Sequence, residues 1–183
     1  MHTFIGLRIP IETGKKLFDL GQNLKGEINL KQWTYLEDLH ITLKFIGETS
    51  EDTLKLLMEK INDIKYDKIN IRITGIDTFG NPKTPRVVYF GIDYSNELIE
   101  LHKVIQLLCK DLGLKLDPKP FKPHITIAKK WAGDQGEIFS RDIIEDINRD
   151  FSEIFLELSE ITLFGIYPKE KPKYKTLLAN DLI

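Results

Sequence analysis

A three-residue string occurs twice in this chain, and it restricts the possible folds more than any other feature. His40-Ile41-Thr42 opens the run His40-Ile41-Thr42-Leu43-Lys44-Phe45-Ile46-Gly47, and the string returns in His124-Ile125-Thr126-Ile127-Ala128-Lys129. With four histidines in the chain, two in such matched settings are poorly explained by chance. Both runs alternate aliphatic and polar residues at period two, the pattern of a half-buried β-strand. A strand sends His40 and Thr42 to one face and Ile41 and Leu43 to the other, and it splits His124 and Thr126 from Ile125 and Ile127 in the same way. Each strand therefore anchors itself by an aliphatic pair and offers an imidazole beside a hydroxyl. If the two strands face one another, they form a cleft with two histidines and two threonines.

The remaining elements are arranged around those strands. Residues 3–9 read as a first strand ended by Pro10, and Leu17, Leu20 and Leu24 give residues 11–25 the stripe of an amphipathic helix. Residues 33–35 are extended, and Glu37-Asp38 turns the chain into the His40 strand. Thr49 or Ser50 is the N-cap of a helix to about residue 64 that buries Leu54, Leu57, Met58 and Ile61. Ile69, Ile71 and Ile73 mark a strand, and residues 86–92 its hairpin partner, with residues 80–85 as a long tip. Ser95 caps a third helix, which Gly113 stops. Three prolines keep residues 115–123 out of any helix. A polar turn around Gly133 and Gly136, a helix near 140–149 and strands near 155–158, 161–167 and 174–178 complete the chain. This is an α+β pattern of two pseudo-symmetric lobes, mainly antiparallel sheet with helices on the outer faces and the cleft between them. No linker stands out, so residues 1–183 are read as one bilobal domain.

Two histidines on opposite walls of a cleft suit acid–base chemistry on a phosphodiester. One imidazole removes a proton from the attacking oxygen and the other supplies one to the departing oxygen, roles that a near-neutral pKa keeps available. The threonine hydroxyls can bond the non-bridging phosphate oxygens without adding a cation beside an imidazole that must at times be charged. No metal or other cofactor is expected, because a threonine follows each histidine where a metal site would want a carboxylate or another histidine. A formal charge of −2 leaves any attraction to RNA to a local basic patch. The single cysteine, Cys109, fits a reducing compartment and a core position on the third helix. The absence of a basic segment followed by an apolar run at the start, and of any long apolar stretch, gives a cytoplasmic location and no membrane contact as expectations.

The motifs and their context resemble the 2H phosphoesterases, in particular the bacterial and archaeal RNA 2′,3′-cyclic phosphodiesterases also called 2′–5′ RNA ligases. The likeness runs through Thr3-Phe4-Ile5-Gly6-Leu7 with Pro10, through Trp33 and residues 37–48, through Pro85-Arg86-Val87-Val88-Tyr89-Phe90-Gly91, and through Pro120-Phe121-Lys122-Pro123 into the second motif. It implies metal-independent hydrolysis of an RNA terminal 2′,3′-cyclic phosphate to a 2′-phosphomonoester, with ligation of a 5′-hydroxyl as a related reaction. His124 would then be the proton acceptor and His40 the proton donor, with Thr42 and Thr126 on the phosphate. The family often has arginine where this chain has Lys129, which keeps the charge but loses the bidentate fork. It also often has a serine in the final strand near Leu163-Phe164, where this chain has Gly165-Ile166, so no site residue is taken from there.

Alternation carries Lys44 onto the face of His40 and Thr42, either at the cleft rim or in solvent. Lys115, Lys119, Lys122, Lys129 and Lys130 surround the second motif, where a basic rim would attract an RNA backbone. Trp33, Tyr35 and Phe121 can stack on bases or pack in the core, and Arg86 can reach the cleft from the middle strand. Residues 169–173 read as a turn, and His102 as a boundary residue. The expected partner is an RNA end bearing a 2′,3′-cyclic phosphate, with no obligate protein partner and a monomeric state. The alternatives are a 2H activity on 2′–5′ linkages or small cyclic nucleotides, a non-catalytic RNA-end binding module, and a histidine-liganded metal hydrolase.

Overall fold

The computed structural model describes residues 1–134 and 136–183. Of the polar turn expected around Gly133 and Gly136, Gln135 thus lies outside the described residues. Among the described residues nine strands form one sheet: β1 (His2–Arg8), β2 (Leu30–Trp33), β3 (His40–Glu48), β4 (Ile69–Asn81), β5 (Thr84–Ile92), β6 (His124–Trp131), β7 (Ile154–Leu158), β8 (Glu160–Ile166) and β9 (Tyr174–Asp181). Four α-helices among the described residues lie outside it, α1 (Ile11–Asn23), α2 (Glu51–Asn62), α3 (Asn96–Asp111) and α4 (Asp142–Asp150), and a 3₁₀ turn at Leu36–Asp38 leads into β3.

The strand order is β7-β4-β5-β6-β3-β1-β8-β9, with β2 also paired to β6, and every strand pair is antiparallel. At its middle the sheet narrows to one residue pair, Ile41 with Ile125. That seam divides it into two lobes, β3-β1-β8-β9 on one side and β6-β5-β4-β7 on the other. The lobes match in register. Arg8, Leu7 and Gly6 of β1 lie opposite His40, Ile41 and Thr42, as Gly91, Phe90 and Tyr89 of β5 lie opposite His124, Ile125 and Thr126. The mixed, mainly antiparallel two-lobed fold read from the sequence is the one observed.

Local chemistry accounts for most of the boundaries. Ser50 is the N-cap of α2, its hydroxyl accepting from the Thr53 amide at 3.2 Å. Ser95 does the same for α3 toward Leu98 at 3.1 Å, and Gly113 ends that helix at φ +73°. Leu57 and Ile61 of α2 are buried while Leu54 and Met58 pack only partly. The hairpin tip is shorter than the sequence suggests. The strands continue to Asn81 and from Thr84, leaving Pro82-Lys83 as the turn, with the Lys83 amide donating to the Asn81 side chain at 2.9 Å. Gly80, at φ +103° beside a shift of register, absorbs the mismatch.

Candidate active site

Both histidine strands kink immediately after their threonine. On β3, Thr42 pairs with Gly6 and Lys44 with Ile5, so two residues advance where β1 advances one. On β6, Thr126 pairs with Tyr89 and Ala128 with Val88, the same bulge at the same motif position. Beyond it the alternation inverts. Lys44 and Ala128 turn inward, 2% and 0% exposed, while Phe45 and Lys129 turn to the cleft. Gly6 is needed opposite Thr42, since a Cβ there would lie 2.6 Å from the Ile41 carbonyl oxygen.

The bulge corrects one expectation. Lys44 borders the groove at His124 but is not a solvent-facing cation there: its side chain is 3% exposed and its Nζ lies 2.9 Å from the Asp117 carboxylate. Asp117 also accepts from Gln106 Nε2 at 2.8 Å. The pair ties the proline-rich segment before β6 to β3 and to α3.

The antiparallel seam brings His40 toward Thr126 and Thr42 toward His124. His40, Thr42 and Thr126 line a cavity of about 290 Å³ together with Phe4, Trp33, Asp38, Phe45, Lys129, Lys173 and Tyr174. Thr42 and His124 share an adjoining groove of about 720 Å³ with Phe45, Phe79, Arg86, Lys119 and Phe121. Each imidazole is oriented by the carbonyl two residues before it. His40 Nδ1 donates to Asp38 O at 2.6 Å, and His124 Nδ1 donates to Lys122 O at 2.8 Å. Because a carbonyl can only accept, the neutral ring keeps its proton on Nδ1 and leaves Nε2 free to accept. At His40 that Nε2 is 3.1 Å from the Thr42 hydroxyl.

Aromatic rings hold both imidazoles. Phe4 lies 4.6 Å from the His40 ring and Tyr174 meets it edge-on at 5.1 Å. Phe79 and Tyr89 sit 5.0 and 5.3 Å from His124. Burial among these rings disfavours the charged form. It pushes the His40 pKa down from 6.5 to about 4, helped by His124, Lys129 and Arg8 and opposed by the Asp38 hydrogen bond. His124 is lowered as well, by burial first and then by Lys122, with its own carbonyl bond opposing. Burial, then Lys173 and Lys130, lower the Lys129 ammonium, while Asp38 works the other way. Burial thus favours the neutral form of both imidazoles.

The other candidates fall into two groups. Trp33 and Lys129 line the cavity at His40, with the Trp33 indole donating to Leu30 O at 2.9 Å. Arg86 and Phe121 line the groove at His124, and the Phe121 ring is stacked on His102 at 4.0 Å. Cys109 is buried, its thiol pushed up to about 11 by the loss of water. Sequence reasoning missed Asp38. Its carbonyl orients His40, and its buried carboxylate accepts from the Lys173 and Tyr174 amides at 3.1 and 3.0 Å. Residues 169–173 thereby become part of the site, because Lys173 lines the cavity. A carboxylate two residues before a catalytic-type histidine was the available signal, and it read only as a turn. Among the described residues no group of three or more His, Cys, Asp and Glu side chains is arranged to hold a metal ion, and no helix is long and apolar enough to cross a membrane.

Two strand-borne imidazoles with opposed threonines in one cleft define a protein of acid–base phosphoester chemistry. The sequence profile described as the 2′-5′ RNA ligase superfamily matches residues 19–167. The chain belongs to that superfamily. It is 29% identical over 184 residues to the RNA 2′,3′-cyclic phosphodiesterase of Geobacillus stearothermophilus, a match covering 100% of this chain and 57% of that longer protein. It is 26% identical over 183 residues to the Bacillus subtilis protein of the same name, covering 99% of this chain and 96% of the relative. The crystal structure of a Thermus thermophilus protein superposes with a TM-score of 0.77 at 22% identity, covering 100% of this chain and 98% of that one.

Proposed function

We propose that this protein is an RNA 2′,3′-cyclic phosphodiesterase that opens the terminal cyclic phosphate to a 2′-phosphomonoester. One observation carries the reading: each imidazole has Nδ1 tied to a backbone carbonyl, which leaves Nε2 as the acceptor, His40's lying 3.1 Å from the Thr42 hydroxyl, and the single antiparallel seam sets each histidine opposite the other strand's threonine. In this mechanism a water gives its proton to His124 Nε2 and its oxygen bonds to phosphorus. The P–O3′ bond breaks, and O3′ takes a proton from His40. Thr42 and Thr126 bond the non-bridging oxygens, where charge accumulates in the transition state.

Burial favours the neutral form of His40, so the phosphate itself has to supply the field that protonates it. An anion within a few ångströms favours the imidazolium, which then sits next to the oxygen that departs. Lys129 and Lys173 attract the anion but also resist the proton, and the Asp38 carboxylate counters them.

The test uses purified protein, a cyclic-phosphate-ended oligonucleotide and a chelator, with identification of the product as a 2′- or 3′-phosphate. The expected product is the 2′-phosphate, formed at a rate the chelator leaves unchanged. His40→Ala and His124→Ala should each lower kcat about 10²–10⁴-fold. Binding without turnover would make the protein an RNA-end binding module, and preferred turnover of a small cyclic nucleotide or a 2′–5′ dinucleotide would reassign the substrate.

A further inference from the structure

The orientation of His124 depends on one carbonyl, which belongs to a segment whose prolines limit its backbone bonding. His124 Nδ1 donates to Lys122 O at 2.8 Å. Pro118, Pro120 and Pro123 carry no amide hydrogen, so side chains have to hold residues 118–123 in place. At the start of the segment Lys44 and Gln106 engage the Asp117 carboxylate. In its middle Phe121 O accepts from the Tyr94 hydroxyl at 3.2 Å. At Lys122 itself the anchor is the ammonium.

Lys122 Nζ lies over two rings, 4.9 Å from the centroid of Phe79 and 5.3 Å from that of Tyr89. Those rings stack on each other at 4.0 Å and are the same two that flank the His124 imidazole. Beside them stands Asp77. Register puts Asp77, Tyr89 and Thr126 in one row across β4, β5 and β6. Asp77 Oδ2 is 3.9 Å from Lys122 Nζ and accepts from the Tyr89 hydroxyl at 3.1 Å. Its Oδ1 accepts from the Thr78 amide at 2.8 Å and lies 3.4 Å from Arg141 Nη2. Burial and the adjacent carboxylate push the Tyr89 phenol up, so it stays a donor. One carboxylate thus gathers a ring that packs on the imidazole and the residue whose carbonyl aims it.

The Asp77 and Lys122 side chains are 43% and 50% exposed, and a pair so exposed adds little to stability. Its effect is positional. In a neutral imidazole the tautomer follows the hydrogen bond made at the ring. If Lys122 O drifts away, Nδ1 loses its acceptor and the proton can move to Nε2, where the ring no longer takes a proton from an attacking oxygen. We infer that Asp77 is a positioning residue for His124: it holds the Lys122 ammonium over the aromatic pair and so fixes the carbonyl that keeps the ring proton on Nδ1. This deepens the function proposed above and, for its effect on rate, rests on His124 as the base. The His40 lobe solves the same problem with the charges exchanged. There the orienting residue, Asp38, carries the carboxylate, and the Lys173 and Tyr174 amides fix it.

Two variants test this. Asp77→Asn keeps the size of the side chain and one acceptor oxygen while removing the charge. Lys122→Met keeps the carbonyl and removes the ammonium. Both side chains are exposed enough that neither change threatens the fold. Nitrogen NMR shifts of the imidazole, taken in mildly alkaline buffer without substrate, read the His124 tautomer directly. The wild type should carry its proton on Nδ1, and each variant should show a mixture with the Nε2–H form. On a cyclic-phosphate oligonucleotide each should lower kcat about 10–100-fold, the effect of a misaimed catalytic group, with KM within about twofold. The double variant should fall within about twofold of the slower single one, because both changes break the same link. An unshifted tautomer in Asp77→Asn would overturn the inference. So would a lower KM at unchanged kcat, which would make Asp77 only a mask over two cations that bind RNA, and so would multiplied losses in the double variant. Failure of the wild type to hydrolyse the cyclic end would instead remove the proposed function, and the tautomer comparison would still decide the role of Asp77.

Discussion

His40 is held where its neutral form is favoured, and this has consequences for both stability and binding. Its folded pKa of about 4 lies below the ordinary 6.5. Between those values the unfolded chain carries a proton that the folded chain lacks, so folding stability is complete above pH 6.5 and falls as pH drops toward 4. The slope from this one group is at most about 1.4 kcal/mol per pH unit. In His40→Gln that contribution disappears, and denaturant titrations at pH 6.5 and 4.5 should show a smaller drop than in the wild type. Ligand binding runs the other way. A nucleoside 2′-monophosphate stabilises the imidazolium, so its affinity should rise as pH falls from 8 to 5, and the His40 ring should titrate well above pH 4 in the complex. An NMR titration giving a His40 pKa near 6.5 in the ligand-free protein would contradict this account.

At the level of the element, the decisive feature is the bulge after each threonine. It decides which lysine meets the substrate. Lys129 faces the cavity, whereas Lys44 lies beneath it against Asp117. Lys129→Met should raise the KM for an RNA oligomer and reduce the salt dependence of log KM by about 0.7, the share of one phosphate contact on a single strand. Lys44→Met should leave that slope alone and lower stability by roughly 1–3 kcal/mol, because removing one partner leaves the part-buried Asp117 carboxylate without its cation. Measuring KM at several salt concentrations for both variants separates the two positions. The bulge also marks where the sequence stopped being legible. Period-two alternation correctly placed His40, Thr42, His124 and Thr126, since those residues precede the kink, and it failed at the very next polar residue. Capping serines and the glycine stop of α3 were readable because their chemistry is local. Asp38 was not, since its value comes from amides of Lys173 and Tyr174 far along the chain. Nor were the rings of Phe4, Phe79 and Tyr174, whose contacts with the imidazoles depend on strand order rather than on any neighbouring residue.

Across the whole molecule, the sheets of two similar lobes join at one residue pair, and the motif histidines and threonines flank that junction. Neither lobe holds a complete site. The His40 lobe carries an imidazole in an aromatic box with Thr42 beside it, but Thr126 and Lys129, which line the same cavity, belong to the other lobe. The His124 lobe depends in the same way on Thr42. A single displacement that needs one proton removed and another delivered therefore uses both lobes at once, and its two catalysts should not behave independently. Groups acting in one concerted event lose nearly all their shared benefit when either is removed. The double variant His40→Ala/His124→Ala should accordingly retain a kcat within about tenfold of the slower single variant, instead of showing the product of the two losses. Single-turnover rates for the four proteins on one cyclic-phosphate oligonucleotide decide the matter. Multiplicative losses would mean that the lobes act in separate steps, and a concerted proton exchange across the seam would then have to be abandoned.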